Sequence, residues 1–174
     1  RMLYEGGIRA PFIARWPGKI QAGTTSDLLT TFMDFLPTAA DLIGVPVKSP
    51  TDGVSILPTM LGNTQSAQHD ALFFEIYEPY FQQAVRLGDW KGYRLGTKAP
   101  LELYDLKADP KETKDLAAAH PDIVKKVEAI MLAEHTPSPH YDAPEQSEQE
   151  TKKTENKGKK SSLHKLLNEE NPNP

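Results

Sequence analysis

Cysteine is absent from this sequence. A disulfide frame, a thiolate zinc site and a cysteine nucleophile are excluded with it, while the compartment stays open. Charge of one sign is not in excess either. The 174 residues carry a formal net charge of −4, too near balance for a nucleic-acid or anionic-membrane footprint. No apolar run approaches the roughly 18 residues that a membrane-spanning helix needs. No internal repeat is visible, and no secretory leader, although a chain starting at Arg1 would already have lost one. The five histidines, His69, His120, His135, His140 and His164, show no metal-ligand spacing. No metal-binding residue is nominated.

Proline, by contrast, is plentiful, with 15 copies that mostly punctuate loops or fall in the tail. The stretch from Tyr4 to Gly18 organises the first part of the chain. Gly6-Gly7 frees the backbone for positive φ or for close approach to a ligand. Ile8 to Trp16 then reads as a short strand with Phe12, Ile13 and Trp16 as its apolar members, and Pro17-Gly18 stops it. A Gly-kinked turn feeding a buried strand is where α/β enzymes tend to keep pocket residues, although most Gly-Gly pairs are only turns. After a polar loop, Thr31 stands three residues before Asp34 as the start of a capping box. Leu36, Ala39, Ala40 and Ile43 follow at helical spacing, with Pro37 in the first turn and Gly44 and Pro46 as the stop. Ser55 to Leu61 predicts a short helix closed by Gly62. Residues 64–70 are polar, and a boundary is placed there.

Beyond it the texture changes from helix to hairpin. Ala71 to Tyr77 reads as a strand, and Gln83–Leu87 and Trp90–Leu95 flank Gly88-Asp89, a two-residue turn suited to a tight hairpin. Leu101–Leu106 supplies another strand. Pro121 opens a helix on which Ile123 or Val124, Val127, Ile130 and Met131 form one apolar stripe. From Thr136 the chain is rich in Pro, Glu, Lys and Ser, and too poor in apolar residues to offset its ordering entropy.

The letters themselves say more than their periodicity. Residues 4–20, Tyr-Glu-Gly-Gly-Ile-Arg-Ala-Pro-Phe-Ile-Ala-Arg-Trp-Pro-Gly-Lys-Ile, resemble a segment near the end of the catalytic domain of type I sulfatases. These are formylglycine-dependent sulfate-ester hydrolases of the alkaline-phosphatase superfamily, the arylsulfatases and N-acetylgalactosamine-6-sulfatases among them. Asp34-Phe35-Leu36-Pro37-Thr38 and Asp52-Gly53-Val54-Ser55-Ile56-Leu57-Pro58 follow in the family's order. Then come Val85-Arg86-Leu87-Gly88-Asp89-Trp90-Lys91, Leu103-Tyr104-Asp105-Leu106 and Asp109-Pro110-Lys111-Glu112. The resemblance, running from Arg1 to about His135, implies the C-terminal part of an α/β, alkaline-phosphatase-like sulfatase fold. Residues 1–66 would end the catalytic domain, and residues 67–136 would form a small antiparallel subdomain with its C-terminal helix. Residues 137–174 would be a disordered tail, and most of the enzyme would precede Arg1.

The same resemblance implies formylglycine, made from the first residue of Cys/Ser-x-Pro/Ala-x-Arg, and calcium held by Asp and Asn residues further upstream. Neither the pattern nor the calcium ligands occur here. The family's sulfate-binding lysine would fall just before Arg1. No residue of this sequence is therefore nominated as catalytic, and the isolated chain is expected to be inactive. The implied partners are a sulfated small molecule or glycan and the missing N-terminal catalytic portion, in an enzyme exported to a periplasm or secreted. Two other readings stand beside it. One is a non-catalytic truncated remnant or glycan-binding module, and the other a phosphodiesterase or phosphonate hydrolase of the same superfamily.

Four residues are candidates for the substrate pocket: Glu5, Arg9, Arg86 and Trp90. Glu5, on its Gly-Gly turn, has the chemistry to orient a lysine or a substrate hydroxyl. Arg9 has the fork to clamp Glu5 or another carboxylate. Arg86 and Trp90 would line a glycan pocket from the hairpin tip; the plainer alternative is a Trp packed on the sheet beside a solvated Lys91. Asp52-Gly53 reads as a loop turn, and His120 as the cap of the last helix.

Overall fold

The computed structural model describes residues 2–138 and 140. Apart from residues 137, 138 and 140, the tail expected from residue 137 lies outside the described residues. Two compact units are present: Arg9–Leu72, and residues 2–8 together with the described residues from Phe73 onward.

The second unit is built on a four-stranded sheet of order β1-β2-β3-β4, comprising β1 (Leu72–Ile76), β2 (Gln82–Leu87), β3 (Trp90–Leu95) and β4 (Glu102–Asp105). The β2–β3 and β3–β4 pairs are antiparallel, with Val85 opposite Gly92 and Gly92 opposite Leu103. The expected Gly88-Asp89 turn joins β2 to β3, and Gly88 takes the positive φ of 58° that glycine permits. Helix α4 (Pro121–Glu134) covers one face with the buried side chains of Val127 and Met131. β3 runs so close beneath it that a Cβ on Gly92 would sit 2.4 Å from Val127 Cγ1.

Residues 2–8 cover the other face. Leu3, Ala84 and Tyr93 are buried together there, with Tyr4, Ile8, Phe74, Ile76 and Leu95 packed around them. Side chains alternate across a strand, so Lys91, Tyr93 and Leu95 all point into this layer.

Here the structure corrects the expected strand at Ile8–Trp16. Glu5–Ile8 forms one turn of helix, α1, and residues 9–16 take no regular element. Strand propensity expresses packing on a pleated surface, and none of the four strands pairs with this run. Pro11 removes a ladder donor within the run besides. Phe12 and Ile13 are exposed, Ile13 at 89%. Of the two glycines, only Gly7 is tightly approached, since a Cβ there would lie 2.0 Å from the Met2 carbonyl oxygen, whereas Gly6 faces open space.

In the Arg9–Leu72 unit, a 3₁₀ turn (Phe32–Asp34) leads into α2 (Phe35–Ile43), which ends on Gly44 at φ 68°. The shorter α3 (Leu57–Met60) starts with Pro58 in its first turn and is followed by Gly62 at φ 76°. Both helices stand where the apolar spacing and turn residues put them. Phe32, Phe35, Leu36 and Ile43 are exposed, Phe32 at 92%. No described helix is long and apolar enough to cross a membrane.

Candidate functional site

Lys91 is completely buried. It lies on β3 between Arg86 of β2 and Tyr104 of β4, on the face that residues 2–8 cover. Its ammonium nitrogen stands 3.0 Å from Glu5 Oε1 and 3.0 Å from Glu112 Oε1. The Glu5 contact is a hydrogen bond in which Lys91 Nζ donates. The Glu112 contact is a close approach of charges without hydrogen-bond alignment. The other oxygen of Glu112, Oε2, accepts the backbone N–H of Glu5 at 2.7 Å. Glu112 reaches inward from a left-handed backbone, φ 55°, a conformation that carries strain for any residue with a Cβ. Among the described residues it is the one non-glycine with positive φ.

A tyrosine network adjoins this cluster. The Tyr4 and Tyr104 hydroxyls both donate to Glu102 Oε2, each at 2.6 Å, and the Tyr4 and Tyr93 ring centroids are 4.2 Å apart. Burial first, then the bond to the Glu102 carboxylate, push the Tyr4 and Tyr104 phenols well above the ordinary tyrosine range. Burial and the charge of Glu102 raise Tyr93 to about 12. Tyr93 OH and the backbone N–H of Leu3 both donate to Gln82 Oε1 at 3.2 Å. Residues 3–5 are thereby fixed to the sheet at each position.

Of the four pocket candidates, Glu5 lies in the lysine cluster, and Arg9 is exposed in the other unit. Arg86 Nε donates to the Gly88 carbonyl at 2.6 Å and so braces its own hairpin turn. Trp90 packs on the His120 ring, centroids 4.8 Å apart. His120 does precede α4, but its side chain makes no cap bond. Lys91, expected in solvent, is the principal residue that sequence reasoning placed wrongly. One signal was available: it shares strand phase with Tyr93 and Leu95, and a lysine in phase with apolar residues faces the core.

The Arg9–Leu72 unit has its own buried acid, Asp34, 1% exposed. Its Oδ2 accepts the Thr31 N–H at 2.8 Å, the capping-box bond that the spacing implied. Its Oδ1 accepts the Val54 N–H at 2.8 Å and lies 2.7 Å from His69 Nε2. Burial alone would raise this carboxyl, but the two backbone donors and the His69 ring outweigh it and hold the group below the usual carboxylate range. Thr38 ties the same knot, donating to the Asp34 carbonyl at 2.6 Å and accepting from the Ile56 N–H at 3.0 Å. Gly53 is required where its loop passes, because a Cβ would stand 2.1 Å from the Met33 carbonyl. The Asp34–Thr38 and Asp52–Pro58 stretches thus meet, as do those carrying Glu5, Lys91 and Glu112.

No group of three or more His, Cys, Asp or Glu side chains that could hold a metal occurs among the described residues. The family described as N-sulphoglucosamine sulphohydrolase, C-terminal, matches residues 1–136. This chain belongs to that sulfatase family. Human arylsulfatase A is 32% identical over 157 residues, covering 74% of this chain and 31% of that protein. The N-acetylglucosamine-6-O-sulfatase of Bacteroides thetaiotaomicron is 32% identical over 151 residues, covering 82% of this chain and 27% of that protein. A protein solved in complex with its substrate D-glucosamine-2-N,6-O-disulfate shares 28% identity with a TM-score of 0.60, over 68% of this chain and 26% of that one. Its neighbours place the chain in the alkaline-phosphatase-like sulfatase fold. The sulfatase chain spans about a quarter to a third of the length of these relatives.

Proposed function

We propose that this chain serves as the C-terminal portion of a sulfuric-ester hydrolase acting on sulfated glycans. The observation that carries the reading is the family match over residues 1–136, joined to relatives named for amino-sugar sulfate esters. In this reading calcium and the formylglycine nucleophile come from residues outside this sequence, and no step is drawn through them. In this reading the sulfate-binding lysine, too, would come from outside this sequence. What these residues contribute is placement. The sheet holds Tyr4 and Glu5, and with them, in this reading, the approach to the sulfate-binding position.

The test compares sulfate release from a 6-O-sulfated amino sugar with hydrolysis of a phosphonate monoester and a phosphodiester, using the longer enzyme that this reading calls for. Preference for the sulfate ester supports it. Preference for either phosphorus ester transfers the chain to the phosphonate or phosphodiester hydrolases, and no turnover on any of them leaves a non-catalytic module. This chain by itself is expected to leave an aryl sulfate intact, and EDTA-sensitive turnover by it would contradict the assignment of the chemistry.

A further inference from the structure

Glu5 is held at both ends by the same group of residues. Its N–H donates to Glu112 Oε2 and its carboxylate accepts from Lys91 Nζ. The partners lie 107 and 86 positions away, so three distant segments must be in place before the contact exists.

We propose that Lys91 is a positioning residue for the ester site. Acting through Glu5 and Glu112, it sets the orientation of α1 and of the residues leading into Tyr4. The catalytic consequence rests on the sulfatase reading above; the structural one does not.

Three observations argue that placement rather than stability is the purpose. Lys91 occupies an apolar layer beside Tyr93, where an uncharged side chain of similar length would fill the space without desolvating any charge, and buried ion pairs are weak stabilisers against such replacements. Glu112 enters from a strained backbone, and such conformations persist where the surroundings over-determine them, at sites of function above all. Gly7 brings α1 against the Met2 carbonyl, so the turn has little room to find a second orientation. Hydrophobic burial of Leu3 and Tyr4 would hold the segment on the sheet, but it is non-directional. The charged bonds to Glu5 supply the direction.

The test uses Lys91→Met and the triple replacement Glu5→Gln/Lys91→Met/Glu112→Gln, which leaves no unpaired charge in the core. Hydrogen exchange on this chain needs no substrate. In either variant the amides of residues 5–8 should exchange at least about tenfold faster while β2 and β3 keep their protection. Should Lys91→Met lose protection throughout the sheet, the triple variant decides. In the longer enzyme, the triple variant should lower kcat by about a hundredfold at an unchanged melting temperature, the cost expected of roughly 1 Å of misplacement. Unchanged exchange at residues 5–8 overturns the positioning role. Faster exchange there with kcat retained overturns its bearing on catalysis. If the unsubstituted longer enzyme releases no sulfate, the sulfatase reading fails, and the exchange measurement still decides whether Lys91 holds the turn.

Discussion

Glu5 and Lys91 stand 86 positions apart in the sequence and 3.0 Å apart in the fold. Their contact joins the Tyr4-Glu5-Gly6-Gly7 stretch to the hairpin that carries Gly88-Asp89-Trp90-Lys91. Glu112, from Asp109-Pro110-Lys111-Glu112, meets both of them. These stretches are different arms of one buried cluster. A motif that looks local on paper is here a docking surface between a helical turn and a sheet.

Asp34 is expected to set the acid limit of the Arg9–Leu72 unit. Its folded-state pKa lies below the unfolded value, so the stability it gives is present above about pH 4 and is lost as pH falls through the depressed value. Thermal melts of Asp34→Asn and the unsubstituted chain should therefore converge as the pH is lowered through that range. At neutral pH, Asp34→Ala should cost about 2–4 kcal/mol, because it strands the Thr31 and Val54 N–H groups. Parallel melting curves at every pH would contradict this.

The tyrosine network makes the opposite prediction at high pH. Tyr4, Tyr93 and Tyr104 all have raised pKa values. The stability of their neutral forms is complete below the ordinary tyrosine value of about 10 and is lost as pH rises through the folded values. Near-ultraviolet absorbance should show these three phenols ionising only together with loss of the sheet. Tyr4→Phe should cost about 1–3 kcal/mol by removing one of two donors to Glu102. Reversible ionisation of Tyr4 near its ordinary value in the folded chain would rule the network out.

Gly92→Ala should destabilise the sheet–helix layer by about 1–3 kcal/mol, since the new methyl meets a buried Val127 side chain. Adding Val127→Ala should recover part of that loss rather than compound it, as expected of two residues competing for one space. Strictly additive losses in denaturant titrations would show that α4 moves freely over β3.

How much of this was legible in the sequence follows from what periodicity reports. The hairpin, α2 and α4 were legible because Gly88, Gly44 and Pro121 mark their ends and the apolar spacing marks their faces. The composition of Ile8–Trp16 suits a strand, but none of the four strands pairs with it. For Lys91 residue type points to solvent and strand phase to the core, and phase prevails. The helix-start role of Asp34 is legible from Thr31 three residues before it, but its bond to His69 spans 35 positions and nothing local announces it. Glu5 was singled out for its turn; its partners needed the fold.

The coupling between Glu5 and Lys91 is measured most directly by a double-mutant cycle in the longer enzyme. Sulfate-ester turnover would be recorded for Glu5→Gln, for Lys91→Met and for both together, with melting temperatures alongside. Because the two side chains act as one device, the pair should lose little more activity than the worse single variant, a coupling of about 1–3 kcal/mol. If the two losses in kcat/KM simply multiply, Glu5 and Lys91 act independently and the positioning account is wrong.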